Sequence, residues 1–231
     1  MRQVVLDTET TGLEVGKGHR IIEIGCIELA ERRPSGKRFH RYLNPQRPVD
    51  EGARAVHGIS DEFLADKPRF AEVAAEFLEF IAGAELVIHN AAFDVGFLDA
   101  ELALVDPGLG RIADHADVLD TLALAREKYP GQRISLDALC KRLNIDNRHR
   151  ELHGALLDAQ LLADVYLAMT GGQGDLGLAS AQAAAPARVA AQFAARSPLR
   201  VRRADAAEAA LHAARLQTID KASKGRCLWR T

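Results

Sequence analysis

The chain has 231 residues, of which 48% are hydrophobic and 27% are charged, and its formal net charge is −2 at pH 7. These values exclude the disordered, fibrous and membrane-spanning classes and indicate a globular protein with a sizeable core. No apolar run approaches the roughly 18 residues that span a bilayer, and the first residues do not resemble a signal peptide, so we expect a cytoplasmic protein.

Strand and helix patterns alternate over the first part of the chain. Strands are predicted at residues 2–9, 20–29, 39–45 and 84–90. Helices are predicted at residues 70–81, 91–104, 121–128, 135–143 and 154–169. The helix at 70–81 rests on apolar residues that recur every three or four positions and form one face. This order predicts an α/β fold in which a mixed β-sheet is flanked by α-helices.

The small net charge conceals two unlike regions. Residues 171–231 contain ten Lys or Arg and four Asp or Glu, a net charge of +6, which leaves −8 for residues 1–170. Ten of the seventeen residues at 179–195 are alanine, which is too small to fill a core. We therefore predict a folded domain at 1–172, a flexible Gly- and Ala-rich linker at 173–203, and a C-terminal segment at 204–231 with a short helix at 204–216.

Two carboxylates stand at the end of the first predicted strand. Asp7 and Glu9 are two positions apart, so both project from the same face of the strand, about 6.5 to 7 Å apart along the chain. Their mutual repulsion is relieved when a hard divalent cation binds between them. A solvated strand end is the alternative interpretation of this pair.

Two further aspartates interrupt apolar helix faces. Asp94 shares a face with Phe97 and Leu98, and Asp158 shares one with Leu161. Burial of an unpaired carboxylate costs on the order of several kcal/mol, so each is expected to be hydrogen-bonded, ion-paired or bound to a metal. One such aspartate is compatible with a structural hydrogen bond, whereas two of them, together with Asp7 and Glu9, favour a shared metal site.

His153 lies five residues before Asp158, where the last predicted helix begins. At 100° per residue it does not share the helix face of the aspartate, so we expect it to approach the same site from the preceding loop or the first turn. Its ordinary pKa near 6.5 suits a general base that takes a proton from water at neutral pH.

Five ordered motifs carry a resemblance to a known family. The motifs are DTETTGL (7–13), VHGI (56–59), HNAAFD (89–94), SLDALC (135–140) and LHGALLDAQ (152–160). Together they resemble the DnaQ-like exonucleases of the Asp-Glu-Asp-Asp-His class, and within that class the epsilon proofreading subunits of bacterial DNA polymerase III. The resemblance covers roughly residues 2–172, and the final GRCLWRT also resembles the end of those subunits.

The resemblance implies a ribonuclease-H-like fold with a flexible C-terminal tail and a 3′ to 5′ exonuclease that releases nucleoside 5′-monophosphates. It implies that Asp7, Glu9, Asp94 and Asp158 organise two divalent cations, Mg²⁺ or Mn²⁺, and that His153 activates water. Asp7 would bridge the two cations, Glu9 and Asp158 would complete the first, and Asp94 would act near the second through water. Two such cations stabilise both the attacking and the leaving oxygen of an in-line displacement.

The resemblance also assigns the site for the terminal nucleotide. Besides Asp7, Glu9 and Asp158, the expected substrate contacts are Thr10, Gly12, Leu13, Glu51, His57, Asn90 and Phe93. Gly12 permits close approach of the backbone, Leu13 offers an apolar edge for a base, and an aromatic ring can stack on one. Many relatives have Pro-Glu before the VHGI motif, whereas this chain has Asp50-Glu51-Gly52, so the contact from Glu51 is expected to be displaced by one position.

The acidic domain predicts weak binding of DNA by itself, because affinity for nucleic acid comes largely from Lys and Arg at phosphates. A tether to a polymerase would replace that affinity by effective concentration. Within the tail, Gln173, Leu176 and Leu178 resemble a short sliding-clamp-binding motif. Cys227, Leu228 and Trp229 form an apolar cluster that is expected to dock on the polymerase alpha (catalytic) subunit. A nonspecific DNA-binding arm is the alternative for the tail.

The leading hypothesis is a proofreading 3′ to 5′ exodeoxyribonuclease that acts on frayed single-stranded DNA ends within DNA polymerase III. An RNA-trimming exonuclease is an alternative within the same fold, since the metal site itself does not distinguish deoxyribose from ribose. A non-catalytic module that stabilises a polymerase is an alternative of another class, against which the complete set of five catalytic residues argues. No membrane partner is expected.

Overall fold

The protein is described from a computed structural model that defines residues 1–148, 150, 152–171, 204–225 and 229. The chain divides into two compact units, Met1–Gly174 and Asp175–Thr231, which are described separately below. Among the residues defined here, no helix combines the length and the apolar character needed to cross a membrane.

A five-stranded mixed sheet forms the centre of the first unit. Its strands are β1 (Arg2–Thr10), β2 (Ile21–Ala30), β3 (Arg33–Tyr42), β4 (Glu85–Ile88) and β5 (Asp117–Asp120). Their order across the sheet is β3-β2-β1-β4-β5. The strands β1, β2 and β3 pair antiparallel, whereas β4 pairs parallel with both β1 and β5. The predicted mixed sheet flanked by helices is confirmed.

Two strands differ from the sequence prediction. The third strand begins at Arg33 rather than at residue 39. The prediction missed its first six residues because they are exposed and show no alternation of hydrophobic and polar side chains. The strand β5 was not predicted at all. It has only four residues, and none of them is fully buried. Its backbone pairs with β4, but its side chains show no hydrophobic pattern from which a strand could be predicted.

Helices cover both faces of this sheet. They are α1 (Glu51–His57), α2 (Asp61–Leu64), α3 (Phe70–Ile81), α4 (Ala91–Val105), α5 (Ile112–His115), α6 (Thr121–Lys128), α7 (Leu136–Leu143) and α8 (Ala155–Gly171), with 3-10 turns at Val15–Lys17 and Pro107–Leu109. The five predicted helices are confirmed with ends that differ by at most two residues. Three others, α1, α2 and α5, were not predicted, because a helix of four to seven residues is too short to show a helical period.

The core has two layers, one on each side of the sheet. Val4 and Leu6 point to the layer that contains α3 and α4, whereas Val5 points to the layer that contains α7 and α8. This alternation continues along β1, so Thr8 faces α4 while Asp7 and Glu9 lie on the side of α8. At the end of β1, Thr8 therefore faces α4, which carries Asp94, while Asp7 and Glu9 lie on the side of α8, which carries Asp158.

The second unit contains the helix α9 (Ala206–Ala222). Asp205 caps it, because its side chain accepts a hydrogen bond from the backbone N–H of Glu208, and the Glu208 carboxylate in turn accepts from the backbone N–H of Asp205. The helix predicted at 204–216 is confirmed and ends six residues later. None of its side chains is buried within this unit. Trp229 is 75% exposed, whereas the predicted partner contacts Gln173, Leu176, Leu178, Cys227 and Leu228 lie outside the described residues.

Candidate active site

The end of β1 provides three consecutive polar residues to the site. Asp7 and Glu9 are half-buried on the α8 side of the sheet. In the part of the chain that the structure describes, no hydrogen-bond donor reaches either carboxylate. The pairing of β1 with β2 shifts register between Glu9 and Thr10, the last residue of the strand. Both carboxylates therefore stand near the end of β1, where they line a cavity.

Asp94 comes from the first turn of α4 and is buried. Its Oδ1 accepts two hydrogen bonds from Thr8, one from the backbone N–H at 3.0 Å and one from Oγ1 at 2.7 Å. The helix starts after Asn90, whose φ of 67° is left-handed and whose backbone N–H donates to Asp120 at 3.1 Å. The left-handed conformation of Asn90 orients the start of α4 so that the Asp94 side chain contacts Thr8 of β1.

Asp158 comes from α8 and is held by Arg150, which the sequence analysis did not identify. The guanidinium donates from Nε to Oδ1 and from Nη2 to Oδ2, each at 2.6 Å. A third donor, Nη1, reaches Asp137 at 2.8 Å. The Arg150 side chain is only 6% exposed. The only sequence signal for the pair of Arg150 and Asp158 was that a basic residue precedes, by a few positions, an aspartate on an apolar helix face.

His153 stands two residues before α8 begins and is 42% exposed. Its Nδ1 lies 2.9 Å from Nη2 of Arg150 and 3.4 Å from Oδ2 of Asp158. Its backbone N–H donates to the carbonyl of Val56 at 3.1 Å. The histidine thus approaches the aspartate from the preceding loop, the direction expected from the sequence, and the imidazole keeps access to solvent.

Burial, together with neighbouring charges, raises the pKa values of three carboxylates of the site. Burial, followed by repulsion from Asp94, Asp158 and Glu9, raises the pKa of Asp7 well above its ordinary value. Burial and the charge of Asp158 raise the pKa of Glu9 to about 8. Burial raises the pKa of Asp94 to about 7, although the hydrogen bonds from Thr8 act in the opposite direction. The site thus carries an excess of negative charge that a cation would neutralise.

The donor set fits a hard divalent cation. Glu9, His153 and Asp158 each offer a ligand atom, and these atoms lie within 4.8 Å of one another. Asp7 adds a carboxylate whose oxygens have no hydrogen-bond donor among the described residues. Carboxylate oxygens with free coordination positions are typical ligands of Mg²⁺ and Mn²⁺. The residues present therefore suit metal-assisted chemistry.

A cavity of about 460 Å³ adjoins these carboxylates. The predicted substrate residues that line it are Glu9, Thr10, Gly12, Leu13, His57 and Phe93. A second cavity of about 430 Å³ brings Asp7, Glu9, Asn90, Phe93, Asp94, His153 and Asp158 together. Glu51 is exposed at the start of α1 and lines neither cavity, whereas its neighbours Asp50 and Gly52 line the first.

Two buried histidines shape the first cavity. His57 accepts a hydrogen bond from the backbone N–H of Ile59 at Nδ1, at 3.0 Å, so its proton is on Nε2, and Nε2 has no partner among the described residues. His19, which the sequence analysis left unassigned, lies 3.0 Å from the Thr11 hydroxyl. Its ring packs on Gly12, where an added Cβ would stand 2.3 Å away. No sequence pattern indicated that His19 lies in this cavity wall, because its position there depends on the tertiary fold.

Comparisons with known proteins identify the family. The RNase_T family of exonucleases matches residues 4–166. The chain is 54% identical to the DNA polymerase III subunit epsilon of Escherichia coli (strain K12), over 99% of this chain and 97% of that protein. The chain belongs to the family of DNA polymerase III epsilon subunits. An epsilon subunit from Pasteurella multocida (strain Pm70) is 51% identical over 99% of this chain and 93% of its own length.

Solved structures share the fold of this epsilon-family chain. Exonuclease X in complex with 5′ overhanging duplex DNA superposes with a TM-score of 0.59 at 26% identity, over 74% of this chain and 93% of that one. Exonuclease I of Escherichia coli in complex with a dA16 oligonucleotide gives a TM-score of 0.64 at 18% identity, over 74% of this chain and 41% of that one. The first unit of the epsilon-family chain thus has an exonuclease fold.

Proposed function

We propose that this epsilon-family chain is the 3′ to 5′ exodeoxyribonuclease that proofreads for DNA polymerase III. The observation that carries this proposal is the meeting of four carboxylates, Asp7, Glu9, Asp94 and Asp158, beside a cavity of nucleotide size. The names of the epsilon relatives and the exonuclease family match support the same conclusion.

The four carboxylates would hold two divalent cations, Mg²⁺ or Mn²⁺, which stabilise the charge that develops on the attacking and leaving oxygens. Asp94 is oriented for this role by its two hydrogen bonds from Thr8. Asp7 and Glu9 point to the same side of β1, and no hydrogen-bond donor among the described residues reaches their oxygens. These residues supply charge and position, and they undergo no covalent change.

The general base of the reaction is His153. Its imidazole takes a proton from the attacking water, whose oxygen then bonds to the phosphorus of the terminal phosphodiester. The bond between phosphorus and the 3′ oxygen breaks, and this oxygen takes up a proton from solvent water as it leaves, while the imidazolium of His153 returns its proton to solvent. The products are a nucleoside 5′-monophosphate and a strand shortened by one nucleotide with a new 3′ hydroxyl.

The terminal nucleotide occupies the cavity lined by Gly12, His57 and Phe93. His57 forms part of the cavity wall, and Phe93 offers a ring for stacking. Leu13 is 80% exposed at the rim, where it can wedge against the terminal base and separate it from the preceding one. Such a pocket admits one unpaired end at a time, as proofreading requires.

The decisive test compares matched DNA and RNA oligonucleotides, labelled at the 5′ end, with the full-length protein and Mg²⁺ or Mn²⁺. We expect DNA to shorten from its 3′ end with release of deoxynucleoside 5′-monophosphates, and RNA to react much more slowly. Asp7→Ala should lower the rate by more than about a hundredfold. The control Asp66→Ala alters an exposed residue outside the site and should not.

Three outcomes would contradict the proposal. Equal rates on DNA and RNA would favour an RNA-trimming enzyme. Absence of hydrolysis with both metals would favour a non-catalytic module. Hydrolysis by Asp7→Ala at the wild-type rate would exclude the proposed use of the carboxylates.

The C-terminal segment is proposed to bind the alpha (catalytic) subunit of the polymerase through Cys227, Leu228 and Trp229, and the motif with Gln173, Leu176 and Leu178 to bind the sliding clamp. Three observations support a tethering role. The region after residue 170 carries a charge of +6, α9 has no buried side chain, and Trp229 is exposed. Exposed tryptophan is typical of residues that anchor protein interfaces.

Gel filtration with the purified polymerase alpha subunit tests this assignment. We expect the full-length chain to co-elute, and a chain that ends at residue 203 to elute separately while its nuclease rate is unchanged. Trp229→Ala should weaken co-elution, whereas the control Leu104→Ala removes an exposed apolar side chain of α4 and should not. Co-elution of the truncated chain would contradict docking through the tail. Retained binding of DNA by the tail alone would favour a nonspecific DNA-binding arm.

A further inference from the structure

Arg150 makes an unusual number of contacts for one side chain in the active site. Two of its nitrogens bind both oxygens of Asp158, a third binds Asp137, and Nη2 also donates to Nδ1 of His153. An arginine has no acceptor atom and remains charged at any physiological pH. The guanidinium is therefore a fixed positive charge inside the carboxylate cluster.

Arg150 hydrogen-bonds to the same side-chain atoms of Asp158 and His153 that could bind a metal. Asp158 and His153 are two of the three residues whose ligand atoms lie within 4.8 Å of one another. Both Asp158 oxygens already accept a short, charge-assisted hydrogen bond in the geometry that a guanidinium matches best. A cation that binds Asp158 directly must take over at least one of these oxygens.

We propose that Arg150 is an internal counter-ion that neutralises Asp158 in the metal-free protein and is displaced from Asp158 when the divalent cation binds. This inference rests on the metal-dependent function proposed above. Displacement follows from electrostatics, because a guanidinium and a divalent cation that share one carboxylate at bonding distance repel each other. The role is one of positioning, since Arg150 acts through Asp158 and His153.

The structure provides a place for the displaced guanidinium. Asp137 binds Nη1 at 2.8 Å and stands at the start of α7, and its side chain is 58% exposed. Arg150 can therefore rotate away from Asp158 and keep one ion pair at the edge of the site. The same rotation frees Nδ1 of His153, which accepts a hydrogen bond from Arg150 in the present arrangement.

The most direct test follows the Nε–H of Arg150 by ¹⁵N NMR during a titration of the full-length protein with Mg²⁺. The signal is assigned by its absence in Arg150→Lys. We expect a signal protected from solvent exchange in metal-free protein, which shifts and loses its protection at saturating Mg²⁺. Persistence of a protected, unshifted Nε–H at saturation would overturn the inference. The variant serves only to assign the signal, and the titration is followed in the wild-type protein.

Calorimetric titration with Mn²⁺ tests the competition independently of catalysis. If Arg150 must leave Asp158, Arg150→Lys should lower the dissociation constant by about tenfold, because a single ammonium cannot cover both oxygens and the competent state is more populated. The variant retains the positive charge, so the change is not explained by net charge. Arg148→Gln, which removes an exposed arginine of the same loop, is the control and should bind like the wild type.

The outcomes distinguish a failure of the metal-dependent function from a failure of the counter-ion role of Arg150. If wild-type protein binds neither Mg²⁺ nor Mn²⁺, the metal-dependent function fails, and this inference fails with it. If the wild type binds metal but Arg150→Lys has the same or a higher dissociation constant, only the counter-ion role of Arg150 is overturned. Tighter binding by Arg150→Lys, together with loss of Nε–H protection in the wild type, supports it.

Discussion

Glu23 of β2 binds the first residue of α8. Its Oε2 accepts a hydrogen bond from the backbone N–H of Ala155 at 3.1 Å, and its Oε1 lies 2.7 Å from Nε2 of His40. The carboxylate is buried. His153 lies just before this helix and Asp158 lies in its first turn. Glu23, which lines neither cavity, therefore helps to position two of the proposed catalytic groups.

Replacement of Glu23 by glutamine should destabilise the protein. The side chain keeps its size but loses its charge and one acceptor oxygen. When the remaining oxygen accepts from Ala155, His40 faces an amide NH2 in place of a carboxylate oxygen, and the loss of this charged contact should cost about 1 to 3 kcal/mol in the free energy of unfolding. Urea unfolding measures this change. The control Glu76→Gln removes an exposed carboxylate that pairs with Arg41 and should change the free energy by less than about 1 kcal/mol. Equal effects would show that the buried contact has no special role.

Gly25 permits the close approach of α8 to the sheet. A Cβ at this position would stand 2.3 Å from backbone atoms of Ala155 and Leu156, so Gly25→Ala must displace the helix that carries Asp158. We expect hydrolysis of single-stranded DNA to fall by about a hundredfold, because small displacements of reacting groups have effects of this size. In the matched control Gly96→Ala the added Cβ has nothing within 4 Å and the rate should be retained. Wild-type activity of Gly25→Ala would contradict this view of the packing.

The stability of the metal-free protein should depend on pH in an unusual direction. The pKa of Glu9 is raised to about 8 and that of Asp94 to about 7, whereas both groups titrate near 4 in an unfolded chain. Between these values the folded state binds more protons, so the contribution of the two groups to stability falls as the pH rises from about 4 to about 8.

Thermal unfolding with and without Mg²⁺ checks this expectation. Protons and the cation compete for the same oxygens, so the rise in Tm caused by Mg²⁺ should be larger at pH 8 than at pH 6. Sodium chloride at equal ionic strength controls for screening. A rise in Tm that does not depend on pH would contradict the assignment of raised pKa values to these carboxylates.

Asp7→Asn should separate stability from activity. The change removes one charge from a cluster in which the pKa of Asp7 is raised by burial and by three other carboxylates, so the metal-free variant should unfold at a Tm equal to or above that of the wild type. Its response to Mg²⁺ should be much reduced and its nuclease rate should fall by more than about a hundredfold. Calorimetry and the oligonucleotide assay measure the two effects. A variant that unfolds at a lower Tm without metal would indicate a structural role for the carboxylate.

The main helices and the burial or proximity of the four proposed catalytic carboxylates could be predicted because their signals are local. Asp94 and Asp158 interrupt apolar faces within one helix each, and Asp7 and Glu9 share a strand face by alternation alone. The short helices and β5 could not be predicted, because they have too few residues to show a period and form only against neighbouring elements.

The sequence by itself determined which side chains are proposed to carry the chemistry, since residue type and periodic spacing are properties of short segments. Only the tertiary structure decided how these side chains are held. Glu23 and Ala155 are 132 positions apart, and Asp94 meets Thr8 across 86. The guanidinium of Arg150 meets Asp158, Asp137 and His153 at once because three elements converge. Contacts of this kind depend on how helices and strands pack against one another, so they cannot be predicted from the residue pattern of a short segment.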